Sequence, residues 1–384
     1  MFKNKKIAID ARFLAGHHGG FARYSQELIK SFLSLKNDVR WVLIVRDDEK
    51  LPEEVKQVIN GASDDVEVIG TTITHYTWQE QTEFLKLLNS IDADLVHFLS
   101  FNHPVLYKKP FVVTIHDLTL GQFSQGTPWL KRKMYDFIMR RAAEKSQYIF
   151  TVSEFSRLEI ARHYSVSLSK INVTYNGIDH NRFFPISNTR KLQQVARQYR
   201  ISDQFILYVG QWADHKNLPR LLEAFKMIND TLEHRNKYQL VLVGKPRHYY
   251  EKINNYVKEL GLQGRVVFPG FVEDEDLPIL YNAARLFVFP SLLEGFGIPP
   301  LEAMACGVPV ISSNASSLPE VLGDAAHYFE PEKVESIARA LVDGLISSRL
   351  RERLVSRGLK QAQKYDWQET AFKTLRGYEK VLKK

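Results

Sequence analysis

Two α/β domains, each a parallel sheet covered by helices, are what this sequence predicts, and three observations carry the prediction. Short apolar, β-rich runs alternate with helix-length amphipathic segments along almost the whole chain, the pattern of strands buried on both faces. The series occurs twice, on either side of a turn-rich break. With 384 residues, 44% hydrophobic and 25% charged, the chain exceeds one ordinary core and has the apolar material for two.

In the first half, strands are expected at Ile7–Ile9, Trp41–Val45, Val66–Ile69, Leu95–Phe98, Phe111–Ile115, Tyr148–Val152 and Asn172–Thr174. Apolar residues recur at helical spacing near Phe21–Leu33, Gln79–Asn89, Leu130–Lys145 and Glu154–His163. Strands of the second half fall at Phe205–Val209, Leu240–Val243, Val266–Phe268, Leu286–Phe289 and Val308–Ser312. Helices are expected there at Leu218–Ile228, Tyr249–Leu260, Leu277–Ala284, Val334–Ser347 and Leu350–Lys364. The break lies at Tyr175-Asn176-Gly177-Ile178-Asp179 and Phe183-Phe184-Pro185. Residues 1–182 are read as the first domain, 183–366 as the second and 367–384 as a terminal helix that returns to the first.

Composition excludes several classes. A single cysteine, Cys306, forms neither an intrachain disulfide nor a zinc cluster, which favours a reducing, cytoplasmic compartment. The basic start Lys3-Asn4-Lys5-Lys6 precedes only a short apolar strand interrupted by Asp10, which is no signal peptide, and no run reaches membrane-span length. The net charge of +8 is a modest excess on a mixed surface, and no aromatic-basic motif for nucleic acid accompanies it. Asp64-Asp65 and Glu273-Asp274-Glu275-Asp276 read as solvated acidic loops rather than a metal site.

The densest chemistry lies in Phe289 to Val310. A strand ends at Pro290, a glycine-rich loop follows, and Pro299-Pro300 sits in the first turn of a helix closed by Gly307. Amides near Gly295, Phe296, Gly297 and Ile298 then lie at a helix N-terminus, where phosphate or sugar oxygens are favoured. Glu294 precedes that helix and Glu302 lies within it, two acceptor-only carboxylates suited to vicinal hydroxyls. On spacing alone an ordinary strand–loop–helix unit accounts for them equally well.

Glu294 and Glu302, with seven residues between them inside Glu-Gly-Phe-Gly-Ile-Pro-Pro-Leu-Glu-Ala-Met-Ala-Cys-Gly-Val-Pro-Val, resemble the signature of retaining glycosyltransferases of family 4. Further blocks resemble that family in the same order: Gly19 to Tyr24, Asp94 to His97, Thr114 to Leu118, Thr151 to Ser156, Tyr175 to Asp179, and Tyr208 to Leu218. The resemblance implies the GT-B fold, two Rossmann-like domains facing across a cleft, the first binding acceptor and the second a nucleotide-sugar donor. It implies that Glu294 meets the donor sugar's hydroxyls and Glu302 the ribose.

The same resemblance places Gly19 and Gly20 beside the donor diphosphate, although two glycines alone read as a plain turn. His116 follows the strand Phe111–Ile115, at the carboxyl end where ligands of such sheets bind. Such a histidine donates to a sugar hydroxyl or leaving phosphate. A lone histidine is more often structural; the family match puts His116 near the donor sugar, with Asp117 shaping the loop. His97 reads as strand-end packing, whereas Asn102 and His103 are candidates for the acceptor side. Lys216 matches the family lysine that stabilises the departing diphosphate. Where relatives carry an arginine after the strand glycine, this chain has Gln211-Trp212, leaving Arg220, Lys245 or Arg247 as replacements. Phe271 and Val272 are candidates for the nucleobase, and Trp367 and Tyr378 for packing anchors of the terminal helix.

The function expected is retaining transfer without cofactor or metal, by a front-face route because no carboxylate nucleophile is evident. GDP-mannose is the first donor, since the blocks Gly19 to Tyr24 and Lys216 to Arg220 look most like bacterial polysaccharide mannosyltransferases; UDP-sugars and a noncatalytic scaffold remain alternatives. The acceptor is a glycan or lipid-linked sugar. Trp129 to Lys145 carries Lys131, Arg132, Lys133, Arg140, Arg141 and Lys145, a cationic face for an anionic membrane. Its apolar residues read either as a lipid-facing stripe or as core, with core favoured.

Overall fold

The computed structural model describes residues 5–14, 20–35, 38–47, 51–62, 65–119, 128–231, 238–244 and 249–383. Gly19, Asp64, Lys245 and Arg247 lie outside them. The chain divides into two units, Met1–Gly177 with Asp366–Lys384, and Ile178–Tyr365.

In the first unit, β1 (Lys5–Asp10), β2 (Val39–Arg46), β3 (Val66–Thr71), β4 (Leu95–Phe98), β5 (Phe111–Thr114), β6 (Tyr148–Thr151) and β7 (Ile171–Val173) form one sheet. Their order is β3-β2-β1-β4-β5-β6-β7, and every pairing is parallel. The apolar runs of β4 and β5 are buried along their whole length, as strands covered on both faces require. Strand succession reverses between β1 and β4, so the loops leaving their carboxyl ends diverge and open a crevice there.

The second unit holds β8 (Phe205–Val209), β9 (Gln239–Val243), β10 (Val266–Val267), β11 (Leu286–Phe289), β12 (Val310–Ser313) and β13 (Ala326–Phe329). Their order is β10-β9-β8-β11-β12-β13, again all parallel, with the reversal between β8 and β11. β13 escaped the sequence reading because it is an edge strand: His327 and Tyr328 are half-exposed and break the apolar run. Helices Glu53–Gly61, Thr189–Gln198 and Leu318–Leu322 were also unforeseen, the first two being largely solvated.

The units divide at Gly177/Ile178 rather than at residue 182. Ile178 N–H and His180 Nε2 both reach the carbonyl of Tyr365, at 3.2 and 3.1 Å, which joins this segment to the second unit. Gly177 is required by contact, since a Cβ there would lie 2.2 Å from the Trp367 nitrogen.

The terminal helix Trp367–Leu382 starts at Asp366, whose Oδ1 accepts the Gln368 N–H at 2.7 Å. It packs on the helix Gly20–Ser34 and buries Trp367 and Tyr378 in the first unit. The Tyr378 hydroxyl lies 2.5 Å from His97 Nδ1, and His97 Nε2 lies 2.9 Å from Thr114 Oγ1. His97 thus ties the helix to β4 and β5, and burial pushes its pKa down to about 3, keeping it neutral.

Candidate active site

At the reversal point of the second sheet, two loops meet. The loop after β8 carries Lys216 and the loop after β11 carries Glu294, and Lys216 Nζ lies 2.5 Å from Glu294 Oε1. Asn217, held left-handed at φ 58°, locks the first loop to its neighbours: its Nδ2 donates to the carbonyls of Pro290 at 3.1 Å and Pro331 at 2.7 Å. Leu292 N–H donates to the His215 carbonyl at 2.7 Å, a second tie between the loops. Serines hold the carboxylate's own backbone. Ser316 Oγ accepts the Glu294 N–H at 3.0 Å, and the Ser317 hydroxyl lies 3.0 Å from the Glu294 carbonyl and 3.2 Å from that of Phe296. Tyr208 is buried below this pair; burial and the Glu294 charge push its phenol well above its ordinary pKa.

Gly297 precedes the helix Ile298–Ala305 at φ 97°, where a Cβ would stand 2.7 Å from a Leu318 methyl. Glycine is therefore required twice, by conformation and by space. Gly295 and Phe296 are buried in the turn, and Ile298 opens the helix half-exposed. Glu302 is nearly buried, and the Tyr281 hydroxyl donates to its Oε2 at 2.9 Å. Burial and this carboxylate keep Tyr281 protonated, so it acts as a fixed donor that orients Glu302.

Phe271 is exposed and Val272 half-exposed beyond β10. Gln211 is also exposed, whereas Trp212 turns inward against Phe268 and Tyr250. Of the proposed substitute cations, Arg220 donates to Asn217 Oδ1 at 3.0 Å. In the acidic run, Asp274 pairs with Arg182 at 3.0 Å and Asp276 accepts from Tyr199 at 2.8 Å.

In the first unit, His116 leaves β5 with its ring edge-on to Tyr24 and Phe21, at 4.6 and 4.9 Å between centroids. This brings it beside the start of the helix Gly20–Ser34. Its Nε2 lies 3.1 Å from the Leu99 carbonyl, which only accepts, so the proton sits on Nε2. Burial lowers the pKa and keeps the ring neutral. Nδ1 is therefore an acceptor, correcting the expectation that His116 donates to a hydroxyl or phosphate. Asp117 Oδ1 accepts the Thr119 N–H at 2.9 Å and shapes the turn. His103 is another correction: it is buried, stacked on Phe111 at 5.2 Å, with its pKa pushed down to about 4 by burial. It is a core residue and does not line an acceptor surface. Asn102 is buried as well, but differs from His103 in keeping a polar atom unpaired: its Nδ2 donates to Glu80 while its Oδ1 has no partner.

Family models match both units: "Glycosyltransferase Family 4" over residues 18–182 and "Glycosyl transferases group 1" over residues 193–361. The chain is 35% identical over 268 residues to O-antigen chain mannosyltransferase B of Escherichia coli, covering 70% of this chain and 69% of that one. The chain belongs to glycosyltransferase family 4. Against the serotype-specific mannosyltransferase WbdA of Escherichia coli it is 32% identical over 64% of its own length, but spans only 31% of that longer protein. Among solved structures, sucrose-phosphate synthase from Thermosynechococcus elongatus superposes with a TM-score of 0.78 at 19% identity, covering 98% of this chain and 99% of that one. The fold of this glycosyltransferase is GT-B.

One polar cluster of the glycosyltransferase went unread in its sequence. Arg12 is fully buried and forks onto Asp10, with Nε and Nη2 each 2.7 Å from a carboxylate oxygen, and its Nη2 lies 2.6 Å from Glu80 Oε1. The guanidinium sits 3.6 Å over the Phe84 ring. Burial alone would raise the Glu80 pKa; His75, Arg12 and Asn102 hold it instead down to about 2. Asp10-Ala11-Arg12 at the end of the first strand was the available signal, since charge at the carboxyl end of a parallel strand marks a ligand-side loop.

Proposed function

We propose that this glycosyltransferase moves a mannosyl group from GDP-mannose, with retention of configuration, to a glycan or lipid-linked acceptor. The observation that carries the reading is the meeting of Lys216 and Glu294 across the reversal point of the second sheet. A fixed ammonium there offsets charge gathering on the diphosphate as the glycosidic bond breaks. Glu294 accepts from hydroxyls of the transferred sugar, and Glu302, oriented by Tyr281, accepts from the ribose. His116 serves a sugar hydroxyl through its Nδ1 lone pair. Lys216 supplies positive charge at the diphosphate, and the reading calls for no metal. With no carboxylate assigned as nucleophile, a leaving phosphate oxygen takes the acceptor's proton on the front face. Mannose is favoured by the names of the relatives and by the family motifs.

A donor panel tests this: GDP-mannose, UDP-glucose, UDP-galactose and UDP-N-acetylglucosamine, each with methyl glycosides as acceptors and nuclear magnetic resonance of the product anomer. Transfer from GDP-mannose with an α product is expected. Preference for a UDP-sugar replaces the donor, and tight nucleotide-sugar binding without turnover makes the chain a scaffold.

We infer, too, that the first unit docks on an anionic membrane at its cytoplasmic face. The helix Trp129–Lys145 has two apolar faces. Ile138, Met139, Ala142 and Ala143 are buried, while Trp129, Leu130, Phe137 and Met134 stand outward at 67, 65, 53 and 42% exposure. Lys131, Arg132, Lys133 and Arg140 are exposed on the same helix. An outward apolar stripe among cations suits the boundary between headgroups and acyl chains. No described helix is long and apolar enough to cross a membrane.

A further inference from the structure

The reversal point of the first sheet, between β1 and β4, is built as elaborately as that of the second. Three carboxyl-end loops converge on Glu80. From β1 comes Arg12, from β3 come His75 and Tyr76, and from β4 comes Asn102. Glu80 Oε1 receives Arg12 at 2.6 Å, Oε2 receives the Tyr76 N–H at 2.9 Å, and Asn102 Nδ2 lies 2.7 Å from both oxygens. His75 Nδ1 is 3.4 Å from Oε1. Tyr76 is held left-handed at φ 63°, and Glu80 opens a π-helical turn, Glu80–Phe84. Such turns recur at functional sites.

Two polar atoms of this cluster have no partner: His75 Nε2 and Asn102 Oδ1. The His75 side chain is 7% exposed and Asn102 is fully buried. A buried acceptor left unpaired is costly, so a fold that keeps two of them in one cluster calls for a reason. In the tautomer that directs Nδ1–H at Glu80 Oε1, Nε2 is a lone-pair acceptor. The His75 ring stacks on Phe13 at 3.7 Å and 7°, Phe13 stacks on Phe21 at 5.8 Å, and Phe21 meets His116 at 4.9 Å. A continuous row of rings thus joins His75 to the residue assigned to the transferred sugar. Trp78, three residues on, is 82% exposed, an apolar ring face beside hydroxyl-bearing Thr74 and Thr77.

We propose that His75, with Asn102, is a specificity-determining contact for the acceptor sugar: His75 Nε2 and Asn102 Oδ1 each accept a hydroxyl proton of the sugar that receives the transferred group. Two acceptors without a free donor select vicinal hydroxyls and disfavour carboxylate or phosphate groups. The inference rests on the glycosyltransferase reading and adds to it the residues that choose the acceptor.

The test uses the full chain, the donor that the panel identifies, and methyl glycosides of mannose, glucose, galactose, rhamnose and N-acetylglucosamine as acceptors. His75→Phe keeps the ring stacked on Phe13 and deletes Nε2; His75→Gln restores a polar end. In His75→Phe the acceptor KM is expected to rise at least tenfold while the donor KM moves less than twofold, with His75→Gln intermediate. Unchanged acceptor KM, or parallel rises in both KM values, overturns the proposal. So does a wild type that consumes donor yet transfers to none of the glycosides. If both variants lose the cooperative thermal transition, the imidazole is a structural part of the Glu80 cluster and the proposal fails as well. A wild type that consumes no nucleotide sugar at all overturns the function reading instead.

Discussion

Lys216 Nζ and Glu294 Oε1, on loops from β8 and β11, are bonded at 2.5 Å with only 14 and 12% of their side chains exposed. The cation assigned to the diphosphate and the carboxylate assigned to the sugar are thus one electrostatic unit. Removing either leaves the other charged and mostly desolvated, which costs more than the pair contributes. A double-mutant cycle on Lys216→Ala and Glu294→Ala, read by chemical denaturation, is expected to give a coupling of about 1–3 kcal/mol. Additive effects would mean that the two groups hold each other only weakly.

Turnover should separate what stability joins. Lys216→Ala is expected to lower kcat by about 10²–10³-fold, by analogy with losing one donor to a developing oxyanion. Near-normal turnover in that variant would pass the role to Arg220, Lys245 or Arg247.

Nucleotide affinity should follow Glu302. Calorimetric titration with the bare nucleotide is expected to weaken in Glu302→Ala and, less strongly, in Tyr281→Phe, which removes the 2.9 Å bond that orients the carboxylate. Glu294→Ala should reduce turnover more than nucleotide affinity. Equal losses of affinity at Glu294 and Glu302 would erase the division between sugar and ribose.

Legibility differed between the two units for a physical reason. In the second, the chemistry lies in one contiguous run, Glu294 to Glu302, set between a strand and a helix whose apolar pattern is plain. In the first, the Glu80 cluster draws Asp10, Arg12, His75 and Asn102 from loops up to 92 residues apart, taking 102 minus 10, and only sheet order brings them together. Burial was hidden for a like reason. His103 and Trp129 each stand next to a proline, Pro104 and Pro128, yet His103 faces the Phe111 ring and Trp129 faces solvent. Periodicity locates a helix, and what packs on each face is decided by the rest of the fold.

Acid should destabilise the first unit in a defined window. His97 and His103 have pKa values near 3 and 4 when folded, against 6.5 for the unfolded side chain. The unfolded chain therefore binds more protons below pH 6.5, so their contribution is full above that pH and is lost as pH falls toward 4 and 3. Glu80, near 2 when folded against 4.5, acts in the same sense at still lower pH. Melting temperature measured from pH 7.5 to 4.5 should fall most steeply below 6.5, and His103→Leu should flatten that slope. A flat wild-type profile would contradict the buried neutral histidines.

Activity is expected to persist in EDTA, because in the proposed mechanism Lys216 supplies the positive charge at the diphosphate. Loss of transfer on chelation, with recovery on adding Mg²⁺ or Mn²⁺, would contradict the metal-free reading.

The proposed membrane docking makes the two components of the helix Trp129–Lys145 separable. Its cations attract anionic headgroups at about 1 kcal/mol each near the surface, an interaction that salt screens within a Debye length. The outward apolar residues Trp129, Leu130, Met134 and Phe137 add a contribution that salt does not screen. Changing Lys131, Arg132 and Lys133 to Glu should therefore abolish sedimentation with anionic liposomes at low salt. Trp129→Ser with Phe137→Ser should leave attraction at low salt and release the protein at a lower salt concentration than the wild type needs. Neither change touches Ile138, Met139, Ala142 or Ala143, which pack inward, so the thermal transition should hold in both variants. A wild type that stays in the supernatant at both salt levels would leave the outward stripe without a lipid partner and make the acceptor a soluble glycan.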